Sequence, residues 1–297
     1  MHALVDADSL IYLAGFIGEK THYEAVVESD KGELGVAQFS SAKEMQAYEG
    51  KVLDYHTWKE LKPLSFSLAV VKDKLQFIAD KYSCSPEVYI KGDNQYNFRD
   101  KYATLAGYKA NRVNTAKPEY YDDIRRYLRD RWGAVQVQSQ EVDDEVGCRL
   151  TELAGKKVVI CSPDKDLDQF PGLHWNYRSN VEYDMTAEDA QNWFWQQVLS
   201  GDPSDNIKGC YKVGESGAKK IIEELDPLLT QHGIWTEVVK QYAVSTEKPG
   251  CPYADLDPYE VALENARLVY MRRERYEIWN PPGTPRKYDY PGVEQDD

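Results

Sequence analysis

The sequence predicts an α/β fold with a central, mostly parallel sheet flanked by helices. Three apolar runs, at residues 3–6, 88–93 and 157–164, each end in an acidic residue. The segments around these runs carry apolar residues at helical spacing, so strands and helices alternate along the chain. Such alternation is typical of a parallel sheet, and the shared acidic endings place carboxylates at one edge of it.

A helix over residues 65–82 is predicted to connect the first two strands. Its apolar residues Leu68, Val71, Leu75 and Ile78 fall on one face. This spacing is the pattern of a helix that packs one side against a sheet. We therefore interpret the segment as a crossover helix.

Two further segments are predicted to contribute strands. Residues 134–137 are predicted to add a strand to the sheet. Residues 24–58 have a weaker pattern, with a β-hairpin around Val26 and Val36 followed by polar sequence. We interpret this stretch as an insertion or edge feature.

Two helices are predicted outside the alternating pattern. Residues 119–132 form a strongly charged helical segment that follows a polar, turn-rich stretch. A second helix is predicted from Tyr259 to about Arg273. The Pro-rich, acidic tail beyond it is predicted to be loose.

The composition limits the class of protein. The chain has 297 residues, 42% of them apolar, and its five cysteines show no CxxC spacing. No apolar run approaches the roughly 20 residues of a membrane span, and the first residues lack the basic region of a signal peptide. We expect a soluble, unexported protein of the cytoplasm, without a disulfide framework or a zinc site.

The net charge of −14 argues at first against nucleic acid as a partner, because phosphate binding depends on Lys and Arg. The distribution of charge points the other way. From residue 91 to residue 131 there are ten basic and six acidic residues, a local net charge of +4. This basic stretch is a candidate nucleic-acid contact.

The predicted sheet edge gathers many carboxylates. Asp6, Asp93 and Asp164 lie at the ends of the three apolar runs. Further acidic residues lie beside them or in other segments: Asp8, Asp166, Asp168, Glu141, Asp143, Asp144, Glu145, Asp202 and Asp205. Taken singly, such residues are more often caps or solvated turn formers. Together they would repel one another unless divalent cations lay among them, and oxygen ligands suit Mg²⁺ or Mn²⁺.

Two of these residues, Glu141 and Asp143, cannot share one face of a helix, because they are two positions apart. Glu141 is therefore predicted to lie at a helix boundary. In that arrangement Val142 and Val146 face the core.

The chemistry that such a cluster supports is phosphodiester hydrolysis. Two cations about 4 Å apart can activate water and stabilise the attacking and leaving oxygens. The five histidines show no partner spacing, and the sequence has no GxSxG or Walker motif. The sequence therefore favours metal-assisted hydrolysis over catalysis by a histidine or a serine.

Basic residues follow Asp93 at spacings that form a comb of positive charge: Arg99, Lys101, Lys109 and Arg112. Aromatic residues that could stack on bases are interleaved with them: Tyr96, Phe98, Tyr102 and Tyr108. The alternative is a solvated face of an amphipathic helix.

Residues 199–222 combine an acidic turn with two glycine-rich turns and the start of an amphipathic helix. Backbone groups exposed in such turns can hold phosphates or a monovalent ion, and Lys219 and Lys220 add positive charge. Glycine spacing alone is weak support for this interpretation. Asp202 and Asp205 in the same segment strengthen it.

These motifs resemble the flap-endonuclease superfamily, the structure-specific 5′ nucleases that include phage replication exonucleases and polymerase-linked nuclease domains. LVDADSLIY is similar to the family's N-terminal LVDG motif, and GDNQYNFRDKYATLAGYKANR to its D…FR…YKxxR stretch. EVDDEVG resembles the EADD motif, and SPDKDLDQF resembles TxDKDxxQL. GDPSDNIKGCYKVGESGAKKI is similar to GDxxDNxxGxxGxGxKTA. The matches follow the family order over about three quarters of the chain.

The resemblance implies a 5′-3′ exonuclease or structure-specific 5′ nuclease that hydrolyses DNA with two Mg²⁺ or Mn²⁺ ions, in phage replication or recombination. Its implied substrate is DNA with a 5′ end or junction, or an RNA–DNA hybrid. The implied metal ligands are Asp6, Asp93, Glu141, Asp143, Asp144, Asp164, Asp166, Asp202 and Asp205, with Asp8 as an additional candidate. Arg99, Lys109 and Arg112 are implied to contact the scissile phosphate.

The resemblance also implies an arrangement of regions. A PIN-like nuclease core would span residues 1–190 and carry a helical arch at about 103–131. A helix-two-turn-helix region that grips duplex DNA and often holds K⁺ would lie within residues 191–297. The DNA contacts expected in addition are Lys101, Tyr108, Gly209, Gly214, Gly217, Lys219 and Lys220.

Two other functions remain open at this point. A haloacid-dehalogenase-type phosphatase has a DxD start like LVDADS and a late GDxxxD motif like SGDPSDN. In that fold, however, the late motif follows a strand, and here it follows a predicted helix. A catalytically inactive, DNA-binding homologue is the second alternative. Such a protein would be expected to have lost some ligands, but every matched acidic position is occupied.

Overall fold

A computed structural model describes residues 1–93, 97–112, 116–138 and 140–290. The chain divides into two compact units. The larger contains residues 1–9, 78–115 and 133–297, and the smaller contains residues 10–77 and 116–132. The boundary predicted near residue 190 falls within the larger unit and stays a prediction. Among the described residues, no helix is both long enough and apolar enough to span a lipid bilayer.

Strands and helices alternate through much of the chain, as the sequence predicts. The strands are β1 (His2–Asp6), β2 (Glu19–Glu28), β3 (Leu34–Phe39), β4 (Lys51–Leu61), β5 (Pro86–Lys91), β6 (Val135–Val137), β7 (Val158–Cys161), β8 (Gly172–Asn176), β9 (Val181–Met185), β10 (Glu277–Ile278) and β11 (Lys287–Tyr288). The helices are α1 (Asp8–Phe16), α2 (Ala42–Gln46), α3 (Leu64–Tyr82), α4 (Arg99–Tyr102), α5 (Tyr121–Trp132), α6 (Val142–Glu152), α7 (Ala187–Ser200), α8 (Glu215–Glu223), α9 (Gln231–Thr246) and α10 (Pro258–Val269). Two short 3₁₀ helices span Ala110–Arg112 and Lys165–Gln169.

The larger unit contains a six-stranded sheet in the order β6-β5-β1-β7-β8-β9. All neighbouring strands are parallel except β8 and β9. The predicted mostly parallel sheet is thus confirmed. Leu4 and Val5 of the central strand β1 are fully buried, which explains why the strand reads as a continuous apolar run. The carboxyl ends of β1, β5 and β7 lie at one edge.

The helices α7, α8, α9 and α10 enclose a separate apolar core in the same unit. Trp195, Trp235 and Trp279 lie at its centre, with ring centroids 5.0–6.4 Å apart. This packing buries three of the largest side chains and fixes the helices that carry the acidic turn after α7.

Two turns connect α7 to α8, and glycine is required in them. Gly201 and Gly209 both have positive φ, 68° and 65°. A Cβ on Gly209 would lie 2.4 Å from the backbone N of Gly201. The close approach of these two turns therefore excludes any larger residue at either position.

The smaller unit contains an antiparallel sheet in the order β3-β2-β4. The predicted hairpin is confirmed, since Val26 pairs with Val36. The sequence did not predict β4, because nearly all of its residues are exposed and it lacks the alternation of a half-buried strand. The segment is therefore a three-stranded sheet, with Ala25, Val27 and Phe39 in its core.

Of the other predicted elements, two are confirmed and two differ from the prediction. The helix predicted over 65–82 is α3, and the strand predicted over 134–137 is β6. The helix predicted to reach about Arg273 ends at Val269, because the next residues bond to buried side chains instead. The predicted loose tail is partly regular, since β10 and β11 pair as antiparallel strands.

Among its described residues, the predicted arch region contains the 3₁₀ helix Ala110–Arg112 and most of α5. In α5, Tyr121, Ile124 and Leu128 are buried, and charged residues occupy the remaining face. Residues 113–115 lie outside the described part of the chain. The arch itself stays a prediction.

Candidate functional site

Two neighbouring strands deliver linked carboxylates to the same edge of the sheet. Asp6 is the last residue of β1, and Asp164 follows β7. The Ser162 hydroxyl donates to Asp6 Oδ2 at 2.9 Å and accepts from the backbone N of Asp164 at 3.0 Å. One serine side chain therefore couples the ends of β1 and β7, as the predicted clustering of these two residues requires.

Asp8 and Asp93 have different surroundings. Asp8 Oδ1 accepts from the backbone N of Lys91 at 2.9 Å, at the end of β5. That bond gives Asp8 a structural role in joining β1 to β5. Asp93 lies in the turn after β5 and is exposed. It is not one of the three carboxylates that the structure brings closest together.

Those three carboxylates belong to Asp166, Asp202 and Asp205. One oxygen from each lies within 4.8 Å of the others. Asp166 lies in the 3₁₀ helix after β7, whereas Asp202 and Asp205 belong to the turn after α7. Ser204 fixes Asp202, because its backbone N and its hydroxyl both donate to Asp202 Oδ1 at 2.7 Å. Three partly or fully buried carboxylates suit a hard divalent cation.

The electrostatics of the cluster also favour a bound cation. Burial, together with the charges of Asp164, Asp202 and Asp205, raises the pKa of Asp166 to about 7. Burial and the charges of Asp8 and Asp164 raise the pKa of Asp6 to about 7 as well.

The pKa of Asp143 lies well above its ordinary value, because of burial and the charges of Asp6 and Asp164. Asp6, Asp143 and Asp164 thus form a second group of mutually repelling carboxylates. Cations bound among them would lower the pKa values of these carboxylates instead of raising them.

Glu141 caps α6 and lies beside the predicted cationic residues. As predicted, it occupies the helix boundary, and Val142 and Val146 are buried. Its carboxylate pairs with Lys109 and Arg99 and accepts from the Tyr108 hydroxyl at 2.8 Å. Burial alone would raise the pKa of Glu141, but the charges of Lys109 and Arg99 lower it to about 2.

Lys109 and Arg112 both contact the acidic turn after α7, which contains Asp202 and Asp205. Lys109 Nζ lies 3.4 Å from Asp205 Oδ2, and Arg112 Nη2 pairs with Asp205 Oδ1. Arg112 Nε also donates to the Ser204 carbonyl at 3.0 Å. The structure thus brings together the predicted cations and the predicted ligand Asp205. A phosphate bound near Asp205 would be within reach of both side chains.

Arg99 and Asp144 form a buried ion pair, although the sequence predicted Arg99 as a phosphate contact and Asp144 as a metal ligand. Arg99 Nη1 and Nη2 bond to the two Asp144 oxygens at 2.7 and 3.0 Å, and both side chains are 0% exposed. The remaining N–H groups donate to Glu141 and to the carbonyls of Leu268 and Tyr270. All five donors of the guanidinium are used, so in this structure Arg99 has none left for a phosphate.

The carboxylate oxygens of Asp144 likewise accept hydrogen bonds from several donors. Its Oδ1 also accepts from the backbone N of Arg272 at 3.1 Å. A carboxylate has about four acceptor positions, so three donors and full burial leave Asp144 little capacity for a metal. The structure thus shows Arg99 and Asp144 in a buried ion pair, and their predicted roles in phosphate and metal binding stay predictions.

The side chains of Tyr108 and Lys101, both predicted to contact DNA, bind carboxylates of the protein itself. The Tyr108 hydroxyl contacts Glu141 and Asp205, at 2.8 and 2.7 Å. Lys101 is exposed and pairs with Asp289 at 2.9 Å. Tyr96, predicted as a stacking residue, lies outside the described residues.

The predicted contacts in the glycine-rich segment divide into two groups. The backbone N of Gly209 donates to Asn265 Oδ1 at 2.9 Å, and its carbonyl accepts from the Tyr253 hydroxyl, so its polar groups are turned inward. Gly214 caps α8, and Gly217 lies in its first turn. Lys219 and Lys220 are exposed on α8, where they pair loosely with Glu223 and Glu224 at 3.7 Å.

Sequence reasoning missed several residues that hold the site. The Tyr177 hydroxyl donates to the Asp6 carbonyl at 2.8 Å, and the Gln197 amide donates to Asp166 Oδ1 at 2.6 Å. No local signal marks either residue, because each reaches its partner only through the fold. Motif spacing cannot predict a neutral side chain that donates to an acidic residue from a distant part of the chain.

No protein-family model matches the chain. Among curated proteins, the chain is similar to DNA polymerase I of Caldicellulosiruptor bescii, with 27% identity over 172 residues, which is 48% of this chain and 20% of that protein. It is also similar to a 5′-3′ exonuclease of Halalkalibacterium halodurans, with 31% identity over 144 residues, 42% of this chain and 47% of that protein. The matched regions thus span between a fifth and half of these relatives.

Solved structures share the fold over most of the chain. Bacteriophage T5 5′-exonuclease with bound zinc has a TM-score of 0.56 at 17% identity, covering 90% of this chain and 88% of the other. A T5 flap endonuclease in complex with DNA and metal ions has a TM-score of 0.51 at 21% identity, covering 70% and 81%. Together the comparisons confirm the resemblance to the flap-endonuclease and 5′-3′ exonuclease superfamily.

Proposed function

We propose that this chain is a divalent-metal-dependent 5′ nuclease that hydrolyses phosphodiesters in DNA. One observation carries the proposal: the cluster of the half-buried Asp166 and the buried Asp202 and Asp205 has Lys109 and Arg112 at its margin. Carboxylates that bind cations, next to side chains that bind phosphate, are what hydrolysis of a phosphodiester requires. The similarity to 5′-3′ exonucleases supports the same reaction.

The proposed cofactor is Mg²⁺, with Mn²⁺ as a substitute, at two positions. Asp166, Asp202 and Asp205 would hold one ion, and Asp6, Glu141, Asp143 and Asp164 would hold the second. When bound, the ions would activate water and stabilise the charge on the attacking and leaving oxygens. Asp93 is retained as a candidate ligand because the family resemblance implies it. Asp144 is not, because Arg99 and Arg272 occupy its oxygens.

The residues of the chain would act on the substrate in three ways. Lys109 and Arg112 would turn from Asp205 to the scissile phosphate and stabilise its developing charge. Asp166 is half-buried and Asp202 and Asp205 are buried, so water would screen their attraction for the cations only weakly. The start of α8, with Gly214, Gly217 and the exposed Lys219 and Lys220, would hold the DNA backbone and bring a 5′ end or junction to the site.

Two finer assignments belong to the same proposal. A K⁺ ion at the turns between α7 and α8 would be held by backbone carbonyls, although Gly209 has both polar groups engaged. A role in phage DNA replication or recombination would fit the likeness to the T5 enzyme. RNA–DNA hybrids are a further candidate substrate.

The phosphatase alternative fails on topology. Its late acidic motif should follow a strand, but Asp202 and Asp205 follow helix α7. The fold also matches T5 5′-exonuclease over 90% of the chain. An inactive homologue would still bind DNA, and it is the remaining alternative.

The test is a cleavage assay on defined DNA. The purified protein is incubated with 5′-labelled duplex, 3′-labelled duplex and a 5′-flap substrate, each with Mg²⁺ or with EDTA. Release of mononucleotides or short oligonucleotides from 5′ ends, only with Mg²⁺, would support the proposal, and the flap lane would rank exonuclease against endonuclease activity. DNA binding without cleavage would indicate an inactive homologue.

A further inference from the structure

We infer that Gln169 and Gln197 form an amide relay that orients the carboxylate of Asp166 for metal binding. The inference rests on the proposed function. Gln197 lies in α7, and Gln169 ends the 3₁₀ helix that contains Asp166. Both glutamines are almost completely buried, with 3% and 2% of their surfaces exposed. Gln169 Nε2 donates to Gln197 Oε1 at 2.7 Å, and Gln197 Nε2 donates to Asp166 Oδ1 at 2.6 Å.

The far end of the relay fixes the direction of every hydrogen bond in it. The backbone N of Met271 can only donate, so the Gln169 atom that faces it at 3.2 Å must be Oε1. The carbonyl of Val269 can only accept, so the Gln169 atom that faces it at 2.7 Å must be Nε2. These two backbone contacts agree, and they leave Gln169 a single orientation.

That orientation is passed on to Gln197. Because Gln169 donates from Nε2, Gln197 must accept this bond through Oε1. The Nε2 of Gln197 then faces Asp166 and donates to it. The opposite orientation would put two amide NH₂ groups against each other and an amide oxygen against a carboxylate. Backbone groups at the end of α10 and just beyond it therefore determine that Asp166 receives a donor.

A neutral donor suits a cation ligand better than a charged one. Glu141 and Asp205 pair with Lys109 or Arg112, whose positive charge must move before a metal is bound tightly. Among the described residues, no Lys or Arg forms an ion pair with Asp166. The amide of Gln197 holds the carboxylate in place without neutralising it, so its charge stays available to the metal.

The relay also explains why α10 ends where it does. Helix α10 stops at Val269, and the following backbone turns to meet Gln169 and Asp144. Gln169 thus ties the end of α10 to the 3₁₀ helix that carries Asp166. Gln169 and Gln197 are positioning residues, since they act on the metal only through Asp166.

The experiment measures metal affinity without DNA. Mn²⁺ is titrated into metal-free protein by isothermal titration calorimetry for the wild type, Gln197→Leu and Gln169→Leu. Gln196→Leu is the matched control, because it makes the same change at the adjacent, half-buried glutamine of α7. Loss of such an orienting partner typically weakens metal binding about 10- to 100-fold. We expect that loss in Gln197→Leu, a smaller one in Gln169→Leu and none in Gln196→Leu.

A second readout separates positioning from damage to the fold. Cleavage by Gln197→Leu should recover as the Mn²⁺ concentration rises, whereas cleavage by Asp166→Asn should not. A wild type that binds no Mn²⁺ would overturn the proposed function itself. A wild type that binds Mn²⁺ while Gln197→Leu binds it equally well would overturn the relay alone. If Gln197→Leu does not fold, Gln169→Leu decides: unchanged Mn²⁺ affinity overturns the relay, and weakened affinity supports it.

Discussion

Lys109 is bound to Asp205 twice, through its backbone N to the Asp205 carbonyl at 2.9 Å and through Nζ, which lies 3.4 Å from Oδ2. The residue has a left-handed backbone, with φ at 54°. The uncommon conformation is thus stabilised by the acidic turn itself. It holds the Lys109 ammonium at the margin of the carboxylate cluster, where a scissile phosphate would lie.

We predict that Lys109→Asn slows cleavage far more than it weakens DNA binding. Asn tolerates the left-handed backbone, so the substitution removes the ammonium without straining the turn. Loss of one group that stabilises transition-state charge typically costs about 100- to 1,000-fold in kcat. Single-turnover cleavage and DNA affinity measured in Ca²⁺ give the two quantities. Equal losses in rate and in affinity would contradict the role given to Lys109.

We predict that Asp166→Asn abolishes Mg²⁺-dependent cleavage, with a loss greater than about 100-fold, and leaves DNA binding largely intact. Asn retains the shape of the side chain but not the negative charge that a cation needs. Asp168→Asn is the control, because Asp168 lies in the same 3₁₀ helix and accepts from the Tyr183 hydroxyl at 2.6 Å. Comparable losses of cleavage in the two variants would show that Asp166 is not a specific ligand.

We predict that Arg99 stabilises the fold and does not bind the substrate. Breaking a buried ion pair by removing one partner typically costs about 3–5 kcal/mol. Arg99→Lys keeps the charge but cannot reproduce the two bonds to Asp144, so the free energy of unfolding should fall, with that range as the upper limit. Urea unfolding measures it. Arg126→Lys, at an exposed arginine of α5, should change stability by less than about 0.5 kcal/mol.

If Arg99 instead bound the scissile phosphate, Arg99→Lys would leave stability near the wild-type value. The loss would then appear in cleavage by the folded protein. The two outcomes are separated by measuring cleavage per folded molecule at a temperature well below unfolding.

The contrast between Arg99 and Asp6 shows what the sequence can and cannot predict. Asp6 ends an apolar run, and the period of a strand is a local property, so its place at the sheet edge follows from neighbouring residues. Arg99 stands among basic and aromatic residues that resemble a surface comb. Its burial depends on Asp144 and on the Leu268 carbonyl, which lies 169 positions along the chain. Only the fold brings these partners together.

The same reasoning applies to β4 and to Gln197. β4 is almost entirely exposed, so its sequence lacks the alternation of apolar and polar residues that burial of one face produces. Gln197 is one of two consecutive glutamines in a helix, and only its orientation in the folded protein distinguishes it from Gln196. Predictions from sequence therefore succeed where local periodicity or a dense motif sets the structure, and they fail where a distant partner does.

We predict that the metal-free protein loses stability as the pH rises from about 4 to about 7. Burial and neighbouring carboxylates raise the pKa of Asp6 and of Asp166 from 3.8 to about 7. Between these values the folded state holds protons that the unfolded state has released, so the free energy of unfolding falls with rising pH. The lowered pKa of Glu141, about 2, affects stability only at lower pH. Burial lowers the pKa of His174, which acts in the opposite direction near its ordinary value of 6.5.

Urea unfolding in EDTA at several pH values between about 5 and about 8 measures this slope. Asp166→Asn should flatten it, because the variant removes one of the titrating carboxylates and relieves repulsion on the others. Asp122→Asn, at an exposed position in the first turn of α5, should leave it unchanged. Mg²⁺ should raise stability most at the upper end of the range, where the carboxylates are ionised and no longer compete with protons for the cation. An identical slope in wild type and Asp166→Asn would show that repulsion among these carboxylates does not limit the stability of the metal-free protein.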